Sequence, residues 1–367
     1  MTHKFWNEQP IQQINDYGKN GIISKNLQSN HMDLPAAFKW WNIDVENKKD
    51  LLLLQKFLNE HYIEDDKCIF RMDYSVELLK QFLTPPGYRR EWHVGIINCN
   101  NIIGFIAGIP INLKVDGEVR LWCEINFLCV HKKFRNNNLA PLLINEVINK
   151  CIDNKIYNAI YTIAKVITKP VSCAKYWHKI INYEKMIKIG FCGVPTYAIR
   201  DNKLLPNLRQ MQRSDVDIVC KLLNDYMKKF DISMHFDNND VIHWFLSNGH
   251  IYSYVLEDIT KIPTDFISFY GLKSSVLNST EYDFYKTAYC FYYSVNTVSL
   301  TDLIDCILGV AKGLGFDVFT MNTIMNNDEI VENNKLNFEK GTGNLYYYLY
   351  NYRHHDVNPN KIGLPMI

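Results

Sequence analysis

The stretch EINFLCVHKKFRNNNLAPLLINEV, residues 124–147, decides the fold. Its residues up to Val130 are mostly apolar, as in a buried strand, and a polar, partly basic turn follows. From Leu139 onwards the apolar residues recur at helical spacing. A strand, a polar turn and a helix present unsatisfied N–H groups and a positive dipole end to an anion such as phosphate. The pattern indicates an α/β protein with an anion-binding turn, although many α/β proteins contain such a unit.

Further strands are predicted on the N-terminal side of this stretch. They lie at residues 92–97, 102–109, 113–115 and 120–130. Asp116 and Gly117 between the last two are a strong hairpin signal. Nearer the N-terminus, residues 47–61 have helical periodicity, and Ser75 fits the N-cap of a second helix. Residues 1–36 are polar apart from Phe5 and Trp6, so we expect an arm that lies across the body.

The order of elements is repeated along the chain. After residue 147 we predict a strand at 159–164 and a short helix at 173–180. The second half is predicted to hold helices at residues 216–230 and 300–313, and strands at residues 252–257, 265–272, 286–295 and 318–321. Because strands, then a helix, then a strand occur twice, we expect two similar α/β halves, at residues 1–200 and 201–367.

Composition narrows the class of protein. The formal net charge is +1, which gives no basic footprint for nucleic acid or an acidic membrane surface. The ten cysteines form no CxxC pair, so zinc-finger and thioredoxin-like chemistry lack support, and no metal is expected. The longest apolar run, residues 102–111, is too short to span a bilayer, and the first residues lack a signal-peptide core. We expect a reduced, cytoplasmic protein.

Several motifs carry a resemblance to one family. EINFLCVHK at residues 124–132 resembles the signature segment of the protein N-myristoyltransferases, or glycylpeptide N-tetradecanoyltransferases. Other segments resemble the family in the same order, namely KFW at 4–6, QP at 9–10, HYIEDDKCIFRMDYS at 61–75, PPGY at 85–88, AIYT at 159–162, FISFYGL at 266–272 and GNLYYYLYN at 343–351. The resemblance implies two GNAT-like halves related by a pseudo-twofold axis, which form one large twisted mixed sheet flanked by helices. Nothing in the sequence asks for a dimer, so we expect a monomer.

The resemblance assigns the acyl-donor site to the N-terminal half, with myristoyl-CoA as co-substrate. It implies that backbone N–H groups of Phe127 and Leu128 form an oxyanion hole, which requires a distorted strand because a regular strand turns successive N–H groups in opposite directions. The residues implied to contact the acyl-CoA are Lys4, Phe5, Trp6, Phe127, Leu128, Cys129, Val130, Arg135, Asn136, Asn138, Leu139 and Ala140. The run Asn136–Asn138 replaces the more basic turn of the family, so we expect CoA phosphates to bind mainly to backbone N–H groups.

The resemblance also implies how the acceptor amine is activated. The α-carboxylate of Ile367 would be the general base, and Asn126 and Thr162 would help to place the amine. In water, proton transfer from an N-terminal ammonium to an α-carboxylate is unfavourable by roughly 6 kcal/mol, and burial of both groups narrows the gap. A thiol mechanism using Cys129 beside His131 is the alternative, but nothing in the sequence activates this thiol, so direct attack by the amine is preferred.

A peptide groove is implied between the two halves. The residues implied to line it are Tyr62, Asp65, Phe70, Met72, Tyr74, Tyr176, His178, Phe191, Ser274 and Tyr289. The substrate would be a protein or peptide that begins with glycine, and His178 could hydrogen-bond to a substrate hydroxyl. Lys67 and Thr342 stand where the family usually has acidic residues. We therefore expect a weaker preference for a basic residue downstream in the substrate.

Two alternatives remain open at this point. The chain could be a GNAT-fold N-acyltransferase that uses a different acyl donor or a lysine acceptor, since the sequence does not show the depth of the acyl pocket. It could also be a non-catalytic relative that binds acyl-CoA or peptide. The intact EINFLCVHK segment and the apolar C-terminal residues favour an enzyme over the second alternative.

Overall fold

A computed structural model describes residues 4–63, 69–197, 201–246, 249–332 and 336–366. The helices in these ranges are α1 (Lys4–Asn7), α2 (Lys48–His61), α3 (Val76–Leu83), α4 (Leu139–Asp153), α5 (Tyr183–Lys188), α6 (Val216–Met227), α7 (Asn238–Phe245), α8 (Leu300–Gly313) and α9 (Asp328–Val331). The strands there are β1 (Gly21–Ile22), β2 (Lys39–Asn42), β3 (Phe70–Asp73), β4 (His93–Asn98), β5 (Asn101–Val115), β6 (Glu118–Val130), β7 (Ala159–Ile163), β8 (Ser172–Ile180), β9 (Leu208–Gln210), β10 (Ile232–Met234), β11 (Ile251–Glu257), β12 (Pro263–Val276), β13 (Phe284–Ser294), β14 (Val318–Asn322), β15 (Glu339–Tyr350), β16 (Tyr352–Arg353) and β17 (Ile362–Gly363).

Most of these strands belong to one mixed sheet, which has 15 strands within the described residues. Its main path runs β17-β10-β5-β6-β7-β15-β8-β14-β13-β12-β11-β9, while β2 and β3 are attached at the sides and β4 joins β2 to β5. Large aromatic side chains fill the core on both sides of the path, and Trp92, Trp122 and Tyr293 are almost completely buried. The expected single mixed sheet flanked by helices is therefore present.

Each half contains the same local unit. An antiparallel meander, β4-β5-β6, is followed by α4 and by β7, which pairs in parallel with β6. In the second half the meander β11-β12-β13 is followed by α8 and by β14, which pairs in parallel with β13. A parallel pair needs a crossover connection, and a helix supplies it in both cases. The repeated order predicted from the sequence is confirmed, whereas the boundary at residue 200 stays a prediction.

The last strand of each unit is exchanged between the halves. β15 pairs antiparallel with β7 of the first unit, with Tyr348 opposite Tyr161, and also with β8. β8 in turn pairs with β14 of the second unit, where His178 lies opposite Thr320. The two exchanged strands therefore lie side by side at the centre of the sheet, and each completes the hydrogen-bonding edge of the other half.

The helix predicted at residues 173–180 is wrong. This segment is strand β8, which is hydrogen-bonded to β15 on one side and to β14 on the other. Its aromatic residues, Tyr176 and Trp177, are typical of strands, and pairing with two distant neighbours decides the conformation. The strands predicted at residues 102–109 and 113–115 are one continuous strand, β5, and the other predicted helices and strands are present with boundaries that differ by a few residues.

The N-terminal arm lies across the body, as expected. Ile11 is buried and forms an isolated bridge with Tyr350, and β1 pairs with β16 in a separate two-stranded sheet. The arm is also held by an ion pair between Asp16 and Arg353, whose guanidinium lowers the pKa of the Asp16 carboxyl. In the part of the chain that is described, no helix is both long and apolar enough to cross a membrane.

The strand exchange makes the halves mutually dependent. We expect a fragment of residues 1–200 and a fragment of residues 201–367 each to fail to unfold cooperatively when purified alone. In the first fragment β7 and β8 lack β15, and in the second fragment β15 and β14 lack their partners from the first half. Co-expressed, the two fragments should form a stable complex that melts in one transition. Circular dichroism and size-exclusion chromatography measure both properties. A cooperative melting transition of either fragment alone would contradict this interlocked arrangement.

Candidate active site

One large cavity runs through the middle of the sheet where the two units meet. Its empty space is about 2010 Å³ including its open mouths. From the first unit it takes residues of β6, β7 and α4, and from the second unit residues of β12, β13 and β15. The strand exchange places β8 beside these elements, so that both halves contribute to a continuous wall. Several polar groups converge in the middle of a mainly apolar lining, as in most binding sites for small molecules and cofactors.

A backbone distortion lies at the centre of this cavity. Phe127 has φ of 57°, a left-handed conformation that aromatic residues rarely adopt. In the pairing of β5 with β6, Ala107 is opposite Asn126 and Phe105 is opposite Cys129, so two residues of β6 face one of β5. This is a β-bulge. The expected distortion of the strand at residues 127–128 is confirmed.

Aromatic packing holds the bulge in place. The Phe127 ring is buried and lies 5.6 Å from the Tyr62 ring and 5.5 Å from the Tyr74 ring, measured between centroids. Burial raises the pKa of the Tyr62 hydroxyl, and a hydrogen bond from the Phe127 backbone acts against this rise. The Tyr62 hydroxyl is itself part of the cavity lining, beside the Phe127 backbone.

The cavity has an apolar branch that faces the first unit. Its wall is formed by aliphatic residues of β5, β6 and α4, which are Ile106, Ile125, Ile144, Val147 and Ile148. Trp6 closes this branch and stacks on Tyr161 with a centroid distance of 5.9 Å and an angle of 15°. Phe5 packs edge-on against Trp6 at 4.9 Å and is not part of the lining. The side chain of Lys4 lies outside the described set.

The turn before α4 has the backbone of an anion site. Asn136 and Asn138 have φ of 69° and 57°, which asparagine tolerates better than most residues. Asn138 is the N-cap residue of α4 but makes no side-chain hydrogen bond to the helix, so it leaves the first N–H groups uncovered. Leu139 at the helix start is buried and Ala140 is half-buried. These features suit a ligand that accepts hydrogen bonds from backbone N–H groups.

Arg135 in this turn is engaged with the protein backbone. Its Nε donates to the Val130 carbonyl at 3.3 Å, and its Nη2 donates to the His61 carbonyl at 2.6 Å. It thereby ties the end of α2 to the turn. The His61 and His131 rings lie 4.0 Å apart beside it. Burial, together with the charge of the neighbouring His131, lowers the pKa of His61 to about 4, so His61 is neutral at pH 7.

A second branch of the cavity is lined by tyrosines. Those that line it are Tyr62, Tyr74, Tyr176, Tyr270 and Tyr289, whereas Tyr161 and Tyr350 line the cavity on the side of Trp6. Tyr270 and Tyr289 stack at 5.1 Å with nearly parallel rings. His178 also lies here, and its Nδ1 is 2.9 Å from the Thr320 hydroxyl. Burial lowers the pKa of His178 to about 4, so above that pH it is a neutral ring that can donate or accept a hydrogen bond.

The structure brings together only part of the predicted peptide site. Met72 lines the cavity with the tyrosines and His178. Phe191 lies one layer further out, with its ring 5.8 Å from the His178 ring, and Phe70 packs behind it at 5.7 Å. Ser274 is buried opposite Met72 in the β3–β12 pairing. Asp65 and Lys67 lie outside the described residues.

Polar groups meet near the bulge. Asn126 and Thr162 both line the cavity, and the Asn126 Nδ2 donates to the Glu124 Oε1 at 2.8 Å. Met366, the last described residue, also lines the cavity. Ile367 lies outside the described residues, so its expected role stays a prediction.

The segment before Ile367 is held firmly inside the protein. Residues 362–366 are buried. The Tyr347 hydroxyl donates to the Leu364 carbonyl at 2.9 Å, and the Met325 N–H donates to the Ile362 carbonyl at 3.0 Å. β17 adds a parallel pairing with β10, where Gly363 is opposite Ser233. This segment is therefore not a frayed terminus, in agreement with its apolar sequence.

The alternative thiol mechanism is disfavoured by the structure. Cys129 is almost completely buried, and burial raises the pKa of its thiol to about 12, so the nucleophilic thiolate is scarce at neutral pH. Val130 beside it is half-buried and ends β6. Within the described ranges, His, Cys, Asp and Glu side chains form no cluster of three that could hold a metal ion.

Sequence reasoning missed several residues of the site. Tyr161, Tyr270 and Thr320 line the cavity but were given no role: their apolar pattern indicated a buried strand, and the resemblance of residues 159–162 and 266–272 to the family was not carried to these side chains. Glu124 was identified as part of the signature segment without a role. An acidic residue within an apolar strand, with no basic neighbour in the sequence, was the available signal for it.

Family models match most of the chain. The model described as myristoyl-CoA:protein N-myristoyltransferase, N-terminal domain, matches residues 19–174, and its C-terminal counterpart matches residues 192–364. A protein of Dictyostelium discoideum named glycylpeptide N-tetradecanoyltransferase is 37% identical over 385 residues, covering 100% of this chain and 92% of its own length. That name is the enzyme class expected from the sequence.

Solved structures give the same result for the fold. The crystal structure of Saccharomyces cerevisiae N-myristoyltransferase with bound myristoyl-CoA superposes with a TM-score of 0.94 at 30% identity, covering 100% of this chain and 99% of that one. A GCN5-related N-acetyltransferase from Anabaena variabilis, at 11% identity and a TM-score of 0.51, covers 85% of this chain and 72% of its own and shares the fold alone. The expected GNAT-like fold class is confirmed.

The close passage of the C-terminal segment gives a testable consequence. A Cβ atom on Gly363 would lie 2.6 Å from Phe230 Cδ2 and 2.9 Å from Met227 Sδ, closer than packed atoms allow. We expect Gly363→Ala to lower the free energy of unfolding by about 1–3 kcal/mol, as overpacking does. Gly193→Ala is the matched control, because its Cβ would have no neighbour within 4 Å. Urea unfolding measures both, and equal stabilities would show that the segment is loosely packed.

Proposed function

Because the chain belongs to the myristoyl-CoA:protein N-myristoyltransferase family, we propose that it transfers a myristoyl group from myristoyl-CoA to the N-terminal glycine amine of protein substrates. One observation carries the proposal. A single cavity joins an apolar branch beneath Trp6, the bulge at Phe127 and a tyrosine-lined branch that reaches the second unit. A donor entering one branch and an acceptor entering the other would meet at the bulge.

The donor side of the proposal uses the first unit. The acyl chain would lie in the aliphatic branch, which offers a water-excluding surface for a long hydrocarbon. The CoA phosphates would lie at the turn before α4, where Asn136 and Asn138 shape the backbone and helix N–H groups are uncovered. Arg135 would act mainly by fixing this turn, since its guanidinium donates to backbone carbonyls. The bound myristoyl-CoA in the yeast relative supports this donor.

The proposed chemistry is direct attack. The neutral glycine amine attacks the thioester carbonyl carbon, the carbonyl oxygen becomes an oxyanion, and the carbon–sulfur bond then breaks to release CoA. N–H groups of Phe127 and Leu128 would stabilise the oxyanion, and each such donor is typically worth about 3–4 kcal/mol. The bulge supports this role, because it allows neighbouring N–H groups to face the same side.

The N-terminus of the acceptor is an ammonium in water, and it must lose a proton before or during attack. In the proposal Asn126 and Thr162 orient the amine, and the α-carboxylate of Ile367 takes the proton. Burial of residues 362–366 and the position of Met366 in the cavity wall support a base at this end of the chain. A carboxylate in these surroundings would have a raised pKa and an ammonium a lowered one, which brings the two values together.

The acceptor side would hold an extended peptide. Tyr62, Tyr74 and Tyr289 offer ring faces and hydroxyls along the second branch, and His178 would hydrogen-bond a substrate hydroxyl through the nitrogen that does not face Thr320. The lysine-acceptor alternative has no feature of this cavity in its favour, and the outcome of the acylation test decides it.

Acylation of a defined peptide tests the proposal. The purified protein is incubated with acyl-CoAs of different chain lengths and a peptide that begins with glycine and contains one internal lysine. The mass of the product and the position of the acyl group are then determined by tandem mass spectrometry. We expect a myristoyl adduct on the α-amine, formed fastest with myristoyl-CoA. The same peptide with an acetylated N-terminus is the control and should stay unmodified. A lysine adduct, a preference for a short donor, or no adduct would each contradict the proposal.

Thr342 gives a test of substrate selectivity. It is exposed at the rim of the cavity, in the irregular part of β15 between Lys340 and Asn344, where relatives are expected to have an acid. We expect kcat/KM to differ little between peptides that carry Lys, Gln or Glu downstream of the hydroxyl residue. Thr342→Asp should raise the Lys-over-Gln ratio about two- to fivefold, as a solvent-exposed ion pair would.

Thr342→Asn is the matched variant, because it has the shape of aspartate without the charge. It should leave the ratio unchanged. A strong Lys preference in the unmodified protein, or an equal change in both variants, would contradict the assignment of Thr342 to this selectivity.

A further inference from the structure

Glu124 is a buried carboxyl directly beneath the proposed reaction centre. Only 5% of it is exposed, and its Oε1 accepts a hydrogen bond of 2.8 Å from the Asn126 Nδ2. Residues 124 and 126 lie on the regular part of β6, before the bulge, so their side chains share one face of the sheet. Asn126 lines the main cavity, and Glu124 lies behind it.

Among the described residues, no cation neutralises this carboxyl. Across the described residues, Glu124 takes part in no ion pair, and its side chain has no hydrogen-bond donor other than Asn126. The titratable groups that face it are Tyr292 of β13, Tyr347 of β15 and Cys123 of its own strand. Burial raises the pKa of all three above their ordinary values, so all are neutral at pH 7.

A second void lies on the far side of Glu124. Its empty space is about 320 Å³ including open solvent, and its lining includes Pro365 of the C-terminal segment together with Met234, Trp244 and Phe291. Most of this lining is apolar. An ionised carboxyl beside such a space lowers stability, and an apolar side chain would be better tolerated there. The residue is therefore not explained by packing.

The hydrogen bond to Asn126 provides a reason. An asparagine amide has one acceptor atom and one NH2 donor, whereas an ionised carboxylate can only accept. Glu124 therefore forces the Asn126 Nδ2 towards itself and turns Oδ1 to the opposite side. In the described part of the chain, Oδ1 accepts no hydrogen bond. It is free to accept one from an N–H group in the cavity.

We propose that Glu124 is a positioning residue: its carboxylate holds the Asn126 amide with Oδ1 facing the acceptor α-amine. The inference rests on the proposed function. With Oδ1 accepting one N–H of the amine, the nitrogen lone pair can be aimed at the thioester carbon, and misplacement of a reacting group by about 1 Å can cost about 100-fold in rate. Protonated Glu124 could donate to the amide instead, which would allow the amide to turn over.

This assignment gives a pH dependence. Burial raises the pKa of Glu124 to about 7, while the hydrogen bond from Asn126 acts in the opposite direction. The orienting form is the ionised one, so the contribution of Glu124 is present above pH 7 and is lost as the pH falls below it. The same ionisation costs stability: the folded protein keeps Glu124 protonated between the ordinary carboxyl pKa and pH 7, so stability falls as the pH rises through this window, and the full cost is present above it.

The test uses Glu124→Gln in the full chain, with the glycine peptide and myristoyl-CoA. Glutamine keeps the volume but can present either an acceptor or a donor to Asn126. We expect kcat to fall about 10-fold or more at pH 8, with KM for myristoyl-CoA within about twofold of wild type. The limb of the kcat/KM profile near pH 7 should disappear, and the melting temperature at pH 8 should be unchanged or higher.

Two further variants show whether the effect passes through Asn126. In an Asn126→Ala background, adding Glu124→Gln should cause no further loss of kcat, because the amide that it orients is gone. Asp240→Asn is the matched control, since Asp240 is another buried carboxyl whose pKa burial raises to about 6, and it does not line the cavity. Its kcat should stay within about twofold of wild type when normalised to folded protein.

The outcomes separate the inference from the proposed function. If wild-type protein does not acylate the α-amine, the proposed function is wrong. If it does, but Glu124→Gln retains wild-type kcat or lowers kcat equally with and without Asn126, then Glu124 does not position Asn126. A drop in melting temperature that accounts for the lost activity would assign Glu124 a structural role instead and would also overturn the inference.

Discussion

The candidate site depends on the left-handed backbone of one aromatic residue in the middle of the sheet. Phe127 holds a conformation that costs about 1–3 kcal/mol, and the rings of Tyr62 and Tyr74 pack against it to keep it there. Without the bulge, the N–H groups of residues 127 and 128 would be used by the sheet ladder on opposite sides. With the bulge, the strand is locally irregular, and polar backbone groups lie inside a mainly apolar cavity. The strands that flank the bulge line the two branches of the cavity.

Around the bulge, the protein retains groups that packing alone would not select. His178, which burial keeps neutral, and Met366 of the enclosed C-terminal segment line the cavity, and Glu124, a buried carboxyl without a cation among the described residues, lies behind Asn126. Each of these features limits the protonation states and the hydrogen-bond donors that are possible near the bulge. The site therefore controls protonation through burial and through acceptor geometry, and the charge of its own side chains contributes little. The turn before α4 follows the same rule, because Arg135 fixes its backbone and the side chain of Asn138 leaves the first helix N–H groups uncovered.

Much of this arrangement could be predicted from the sequence. Local signals, such as Asp116-Gly117 and the periodicity of residues 300–313, placed hairpins and helices, and the signature segment placed the bulge. Residues 173–180 were predicted wrongly because their conformation is decided by pairing with β14 and β15, which lie far away in the chain. The position of Phe191 behind His178 and the hydrogen bond from Asn126 to Glu124 also depend on contacts that local patterns do not encode. Local patterns therefore identified the elements, and long-range pairing decided which of their side chains reach the cavity.

The exchange of β8 and β15 has a consequence for synthesis on the ribosome. β7 and β8 are complete once residue 180 has been translated, but their shared partner, residues 339–350, emerges much later. Until then the nascent chain carries two unpaired strand edges beside a partly assembled apolar cavity, which are features that favour aggregation. Contacts of such large sequence separation also slow folding, because the loop must be closed before the pairing stabilises it. The strand exchange that joins the two halves thus leaves the first half prone to aggregation until the second half has been made.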